Sequence, residues 1–251
     1  MDFKSTRWSL VRRFAGPDGG SFGDGAFSDS EVAREALAGL CEMYWFPLYA
    51  YALRSGEGPD AAADAVQGFF TYLLENRLGG GLALDAADPE RGRFRAFLIG
   101  AFRHYRSDRR KFDQALKRGG GVVEIAWDAQ EGARRLALEP QDSMTPEALY
   151  EKQWALSVLE HAIERLRRDA ERGGKVEQFE ALKPFLTGDV DRGAGKAAAA
   201  QVGLSEGAAR VAVHRLRRRL GESLRYEVAQ TVAREDQVEL ELRQLLAVLQ
   251  S

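Results

Sequence analysis

The stretch Lys196–Leu220 reads KAAAAQVGLSEGAARVAVHRLRRRL, and its pattern governs how the rest of the chain is understood. A short helix over 196–202, a tight turn at Gly203 and a second helix capped by Ser205 make the pattern of a helix-turn-helix. Glycine supplies the positive φ that such a turn needs, and Ala198 and Ala199 are small enough for two helices to cross closely. On the second helix Ala209, Ala212, Val213, Leu216 and Leu220 share one face. Gly207, Arg210, Val211, His214, Arg217 and Arg218 share the other. The first face wants a core. The second suits the major groove of a duplex: Glu206, Gly207 and Arg210 near the helix start can reach base edges, and Arg215, Arg217, Arg218 and Arg219 are placed for phosphates. An ordinary helical hairpin with a polar outer face is the alternative.

Charge points the same way. The chain of 251 residues carries a formal charge of only −2, but that near-neutrality conceals a strong segregation. Phe14 to Glu90 holds 13 acidic residues against 3 basic, a local −10, whereas Arg91 to Arg118 holds 10 basic against 2 acidic, a local +8. A second cluster, Glu206 to Arg225, has 6 basic against 2 acidic. Two positive segments on an otherwise acidic chain suggest two contacts with a polyanion.

Over the chain as a whole, periodicity predicts an all-α protein of two small helical domains joined by a linker, the second containing the helix-turn-helix. Residues 1–29 read as an N-terminal arm and linker, with the Gly/Asp/Ser segment 16–28 as punctuation. The first domain is expected over 30–112. Ser30 is placed to cap a helix with Val32, Ala36, Leu37, Leu40 and Met43 on one side, which Pro47 should end or restart. A second helix opens at Pro59 and Asp60 and carries Val66, Phe69, Phe70, Leu73 and Leu74. A third, from about Arg93 to Lys111, has Phe94, Phe97, Leu98, Ala101, Phe102 and Tyr105 as its apolar stripe with arginines opposite. Residues 113–144 read as an interdomain linker, with a short strand at VVEIAW or none. Thr145 and Pro146 start a long helix, and with it a second domain over 145–225. The tail 226–251 is an amphipathic helix with Val238, Leu242, Leu245, Leu246 and Leu249 on one face. It should dock on the chain's own domains in preference to another protein, and its acidic residues could screen a basic patch, an autoinhibitory arrangement.

Three motifs in this order resemble a family. YWFPLYAYALRSGEGPDAAADAVQGFFTYLLEN, then RFRAFLIGAFRHYRSDRRK, then GLSEGAARVAVHRLRRRL, resemble the bacterial RNA polymerase sigma factors of the extracytoplasmic-function (ECF) group. The resemblance covers roughly 33–112 (region two) and 147–225 (region four). It implies a subunit that binds core RNA polymerase, on the clamp helices of β′ and the β flap, and directs it to promoter DNA without being an enzyme. Asp64, Val66 and Gln67 would touch polymerase, with Ala65 between them. Arg91, Arg93, Arg103, His104, Arg106, Arg109 and Arg110 would read and melt the minus-ten element, His104 lying near the pocket for an extruded base. Ser205, Glu206, Gly207, Arg210, Val211, His214, Arg217 and Arg218 would read the minus-thirty-five element. Two departures stand out: Gly68 where the family often has an acid, and His104 where an amide is common. The resemblance also leaves room for an anti-sigma factor or other regulator.

Other classes fit less well. The one cysteine, Cys41, excludes an intrachain disulfide and a cysteine-based zinc site, and His104, His161 and His214 are scattered, so no metal or cofactor is expected. VDRGAGKA at 190–197 lacks the first glycine and the hydroxyl of a phosphate loop. Asp85 and Asp88 sit in a polar turn with no acid–base partner. No window approaches 18 uninterrupted apolar residues, and MDFKSTRWSLVRR has no leader-like apolar core, so a soluble cytoplasmic protein without membrane insertion is expected. The competing function is a stand-alone helix-turn-helix regulator whose first domain senses a ligand or dimerises. A sensor would need a pocket or dimer stripe there, where a basic aromatic helix stands instead.

Overall fold

A computed structural model of the chain describes residues 26–75, 94–113, 144–187, 192–232 and 234–250; for 26–37, 40, 74–75, 110–113 and 192–194 it describes the backbone alone. The described residues are helical, without a strand. In order they form α1 (Ala26–Arg54), α2 (Pro59–Glu75), α3 (Phe94–Asp113), α4 (Pro146–Arg172), α5 (Val176–Leu182), a 3-10 turn (Lys183–Phe185), α6 (Arg192–Gln201), α7 (Glu206–Ala229), a second 3-10 turn (Glu235–Gln237) and α8 (Val238–Gln250). Arg91, Arg93, the Asp85–Asp88 turn and the linker 114–143 lie outside the described residues.

The chain divides into two compact units, Met1–Ser157 with Ala229–Ser251, and Val158–Val228. Composition places the opening of the second domain at 145 and sets the tail apart. The packing draws the line elsewhere, inside α4, because the first turns of that helix carry Leu149, Tyr150 and Trp154, all buried in the first unit. The tail from Ala229 packs there too.

In the first unit, α1 is the central helix. It begins at Ala26, four residues before Ser30, and runs without a break through Pro47. Proline inside a helix removes one backbone bond and costs about 3 kcal/mol. Here every residue from Met43 to Ala52 is buried, and that packing overrides the local preference. Phe69 of α2 and Phe102 of α3 meet at 5.2 Å between ring centroids, and Tyr44 of α1 meets Phe94 edge-on at the same distance. Thr145 caps α4, its Oγ1 accepting from Ala148 N at 3.2 Å.

In the second unit, α7 is the longest helix and the others lean on it. Its Ala209 and Val213 pack with Leu182, Phe185 and Ala199, and Ala198, Leu204, Ala212 and Leu216 border that cluster. Ser223 Oγ donates to the Ala162 carbonyl at 3.0 Å, and the Arg165 guanidinium lies 3.6 Å from the Tyr226 ring centre. Arg219 reaches Asp169 at 2.9 Å.

Candidate nucleic-acid interface

The turn between α6 and α7 is built as its sequence demands. Gly203 has φ of +65°, a conformation that side chains with a Cβ rarely adopt. Leu204 N, just past it, donates back to the Ala199 carbonyl at 2.9 Å, which closes the end of α6. Ser205 then caps α7: its Oγ accepts from Ala208 N at 3.2 Å, and its carbonyl accepts from Ala209 N at 2.9 Å.

This local geometry fixes what α7 presents. Ser205, Glu206, Gly207, Arg210, His214, Arg217 and Arg218 are all exposed, and nothing stands within 4 Å of where a Cβ on Gly207 would lie. Val211, in their midst, is 50% exposed although apolar. The arginines are lightly held. Arg210 pairs with Glu206 at 3.3 Å and Arg218 with Glu222 at 3.7 Å, both one turn apart on the same exposed surface. Such pairs contribute about 0.3–0.5 kcal/mol and exchange readily for another anion. Arg217 is more fixed, because its Nε donates to the Phe185 carbonyl at 3.0 Å. A cleft of about 410 Å³, floored by Leu182, Phe185 and Val213 and rimmed by Arg210, His214 and Arg217, runs along this side of the helix. On the other flank a cleft of about 390 Å³ gathers Lys175, Arg215, Arg218 and Arg219 around Asp169.

The first unit's basic helix is a different matter. Arg106, expected at a DNA surface, is buried. Its guanidinium meets Glu57 at 2.6 Å and lies 5.5 Å from the Tyr51 ring centre and 5.6 Å from that of Phe102. A charge withdrawn from water into a paired site does not reach a phosphate, so Arg106 is a packing residue. Arg103 is exposed and pairs with Glu147 at 3.6 Å. His104 is exposed, Arg109 is half-buried beside Gly68 and Tyr105, and the side chain of Arg110 is outside the described residues.

The polymerase-facing set also divides. Asp64 is exposed and Gln67 half-buried on one side of α2. Val66 is fully buried with Phe69 and Phe70, so it belongs to the core and offers nothing to a partner.

Sequence periodicity missed Arg95, Glu57 and Glu241. Arg95 is buried on α3, with Leu98 and Phe102 at i+3 and i+7, and Glu241 on α8 stands between Val238 at i−3 and Leu245 at i+4. A charge at a core position of an apolar stripe was the available signal. Arg95 Nη1 lies 2.9 Å from Glu241, its Nε 3.2 Å from Glu151, and its guanidinium 4.1 Å from the Trp154 ring centre. Gln244 accepts a hydrogen bond from Arg95, and the Arg95 carbonyl accepts one from the Tyr150 hydroxyl at 3.0 Å. Burial holds the phenols of Tyr44 and Tyr150 above their ordinary pKa, with Arg95 opposing the shift.

Among the described residues no three carboxylate, histidine or cysteine groups gather as a metal site, and no helix is long and apolar enough to cross a membrane. Comparison with models of protein families, with curated proteins and with solved structures finds no match in any of the three.

Proposed function

We propose that the chain is a promoter-specificity subunit of the sigma type: it binds core RNA polymerase and places it on promoters through two nucleic-acid contacts. The observation that carries this reading is the outer face of α7, where exposed Val211 sits among Arg210, His214, Arg217 and Arg218 directly after a capped, positive-φ turn. A thymine methyl flanked by phosphates and guanine acceptors is a surface that complements a valine set among cations. Arg210 is suited to guanine O6 and N7, Glu206 to a cytosine amino group, and Arg215 and Arg218 to phosphates. No bond is made or broken; affinity lent by polymerase brings each contact to its element. The test is affinity capture of core polymerase on the purified chain. The wild-type chain should retain it, and Asp64→Ala with Gln67→Ala should retain less while leaving duplex binding intact.

One observation favours the second reading, a stand-alone helix-turn-helix regulator. Arg95, Arg103 and Arg106 of α3 all have carboxylate partners inside the first unit, which leaves α3 less positive than its sequence. A regulator of that kind would bind duplex tightly alone and ignore polymerase.

A further inference from the structure

Two exposed cations of the second unit, Lys175 and Arg215, line the same cleft and have no carboxylate partner among the described residues. Turn chemistry brings them to it. Gly174, at φ of +64°, ends α4: Lys175 N donates back to the Ala170 carbonyl at 2.8 Å and Gly174 N to the Glu171 carbonyl at 3.0 Å. The chain reverses at once into α5, so that Lys175 and Phe179 line one cleft with Ala212, Arg215 and Leu216 of α7.

Asp169 is the one carboxylate among the described residues lining this cleft, and it is already engaged. It meets Arg219 at 2.9 Å and pairs with Arg172 as well, which holds Arg219 in place and leaves nothing for Lys175 or Arg215. Arg218, the fourth cation of the lining, has only its exposed pair with Glu222 at 3.7 Å, a contact that another anion readily replaces. Four cations around one carboxylate leave unmet positive charge, and a concave site concentrates that field. A single carboxylate would answer one of them. A run of phosphates answers several, since each presents oxygens to a lysine ammonium or the fork of a guanidinium. The cleft, about 390 Å³, falls within the range of about 300–1,000 Å³ usual for small-molecule sites. Phe179, Ala212 and Leu216 give it apolar surface for a flat ring, and Gln178 brings an amide.

We propose that this cleft binds a nucleoside di- or triphosphate by its phosphates, with Lys175 and Arg215 as the main contacts and Arg218 recruited from Glu222. Arg215 and Arg218 are also the residues of α7 suited to duplex phosphates, so a bound nucleotide lowers duplex affinity. Binding depends on the cleft alone, and the antagonism rests on the nucleic-acid reading above.

The experiment follows the anisotropy of fluorescently labelled adenosine triphosphate titrated with the full chain, and separately that of a labelled duplex. Unlabelled adenosine triphosphate should displace the nucleotide probe and adenosine should not. Lys175→Gln and Arg215→Gln should each weaken the probe about tenfold, the loss of one charge-assisted contact, and Lys175→Arg should retain it. Both positions are exposed, so these variants keep the fold. Arg210→Gln removes the same charge from the opposite flank of α7 and should leave the probe unaffected. Lys175→Gln should leave duplex binding unchanged, and saturating adenosine triphosphate should weaken it in the wild-type chain. Equal probe affinity in all variants, an equal loss from Arg210→Gln, or displacement by adenosine overturns the site. So does a chain that ignores the probe while Lys175→Gln weakens the duplex, which would make Lys175 a contact to the duplex backbone. Probe binding as stated, with no duplex binding by any variant, keeps the site and overturns the nucleic-acid reading.

Discussion

The hydroxyl of Tyr105 on α3 stands too close to where a Cβ on Gly68 of α2 would lie for both to fit. The two helices therefore approach each other through the missing side chain. Gly68→Ala should overpack this contact and lower stability by about 1–3 kcal/mol, read as a fall in Tm. Tyr105→Phe in the same chain should recover part of the loss, because it removes the colliding oxygen. An additive loss would mean that the hydroxyl is not the obstacle.

Arg106 and Arg103, three residues apart on α3, should behave oppositely. Arg106→Ala leaves Glu57 in a largely buried site without its partner, and unfolding in urea should show a loss of about 3 kcal/mol. Arg103→Ala breaks an exposed pair and should cost under about 1 kcal/mol. Equal effects would contradict the burial of Arg106.

On α7, Arg210→Ala should weaken a cognate duplex by about 1–3 kcal/mol and relax preference at one base pair. Arg218→Ala should weaken cognate and random duplex alike and lower the salt slope by about 0.9. A sequence-selective loss from Arg218→Ala, measured by anisotropy at several salt concentrations, would reverse the two roles.

Cys41 tests the packing of α1. Burial pushes its thiol pKa from 9.0 up to about 12, with Glu42 adding to the shift, so the thiolate that attacks disulfide reagents is scarce in the folded chain. The native protein should react with an aromatic disulfide reagent far more slowly at pH 8 than in denaturant. Because the folded pKa is the higher one, the stability tied to this thiol is complete below pH 9.0 and lost as pH rises toward 12. Rapid native labelling would place Cys41 at the surface.

The second unit was the more legible of the two. Ala209, Val213, Ala198 and Ala199 pack where their spacing puts them, since a helix with one apolar face has one way to turn. Glycine and serine at 203 and 205 act locally, so their geometry follows from residue type. The first unit hid more. Pro47 reads as a break and is overridden by burial on all sides, which only the assembled core reveals. Arg95, Arg106 and Glu241 read as surface charge because their partners are remote in sequence: 146 positions separate Arg95 from Glu241. In the same way, Val66 was expected at a partner surface and is core.

Run-off transcription with purified core polymerase, on templates selected by the chain itself, measures promoter-directing activity most directly. A discrete transcript should appear that needs the chain, weakens with Arg210→Ala, and is lost with Asp64→Ala plus Gln67→Ala. No chain-dependent transcript, together with tight binding of the same duplex by the free chain, would contradict promoter-directing activity.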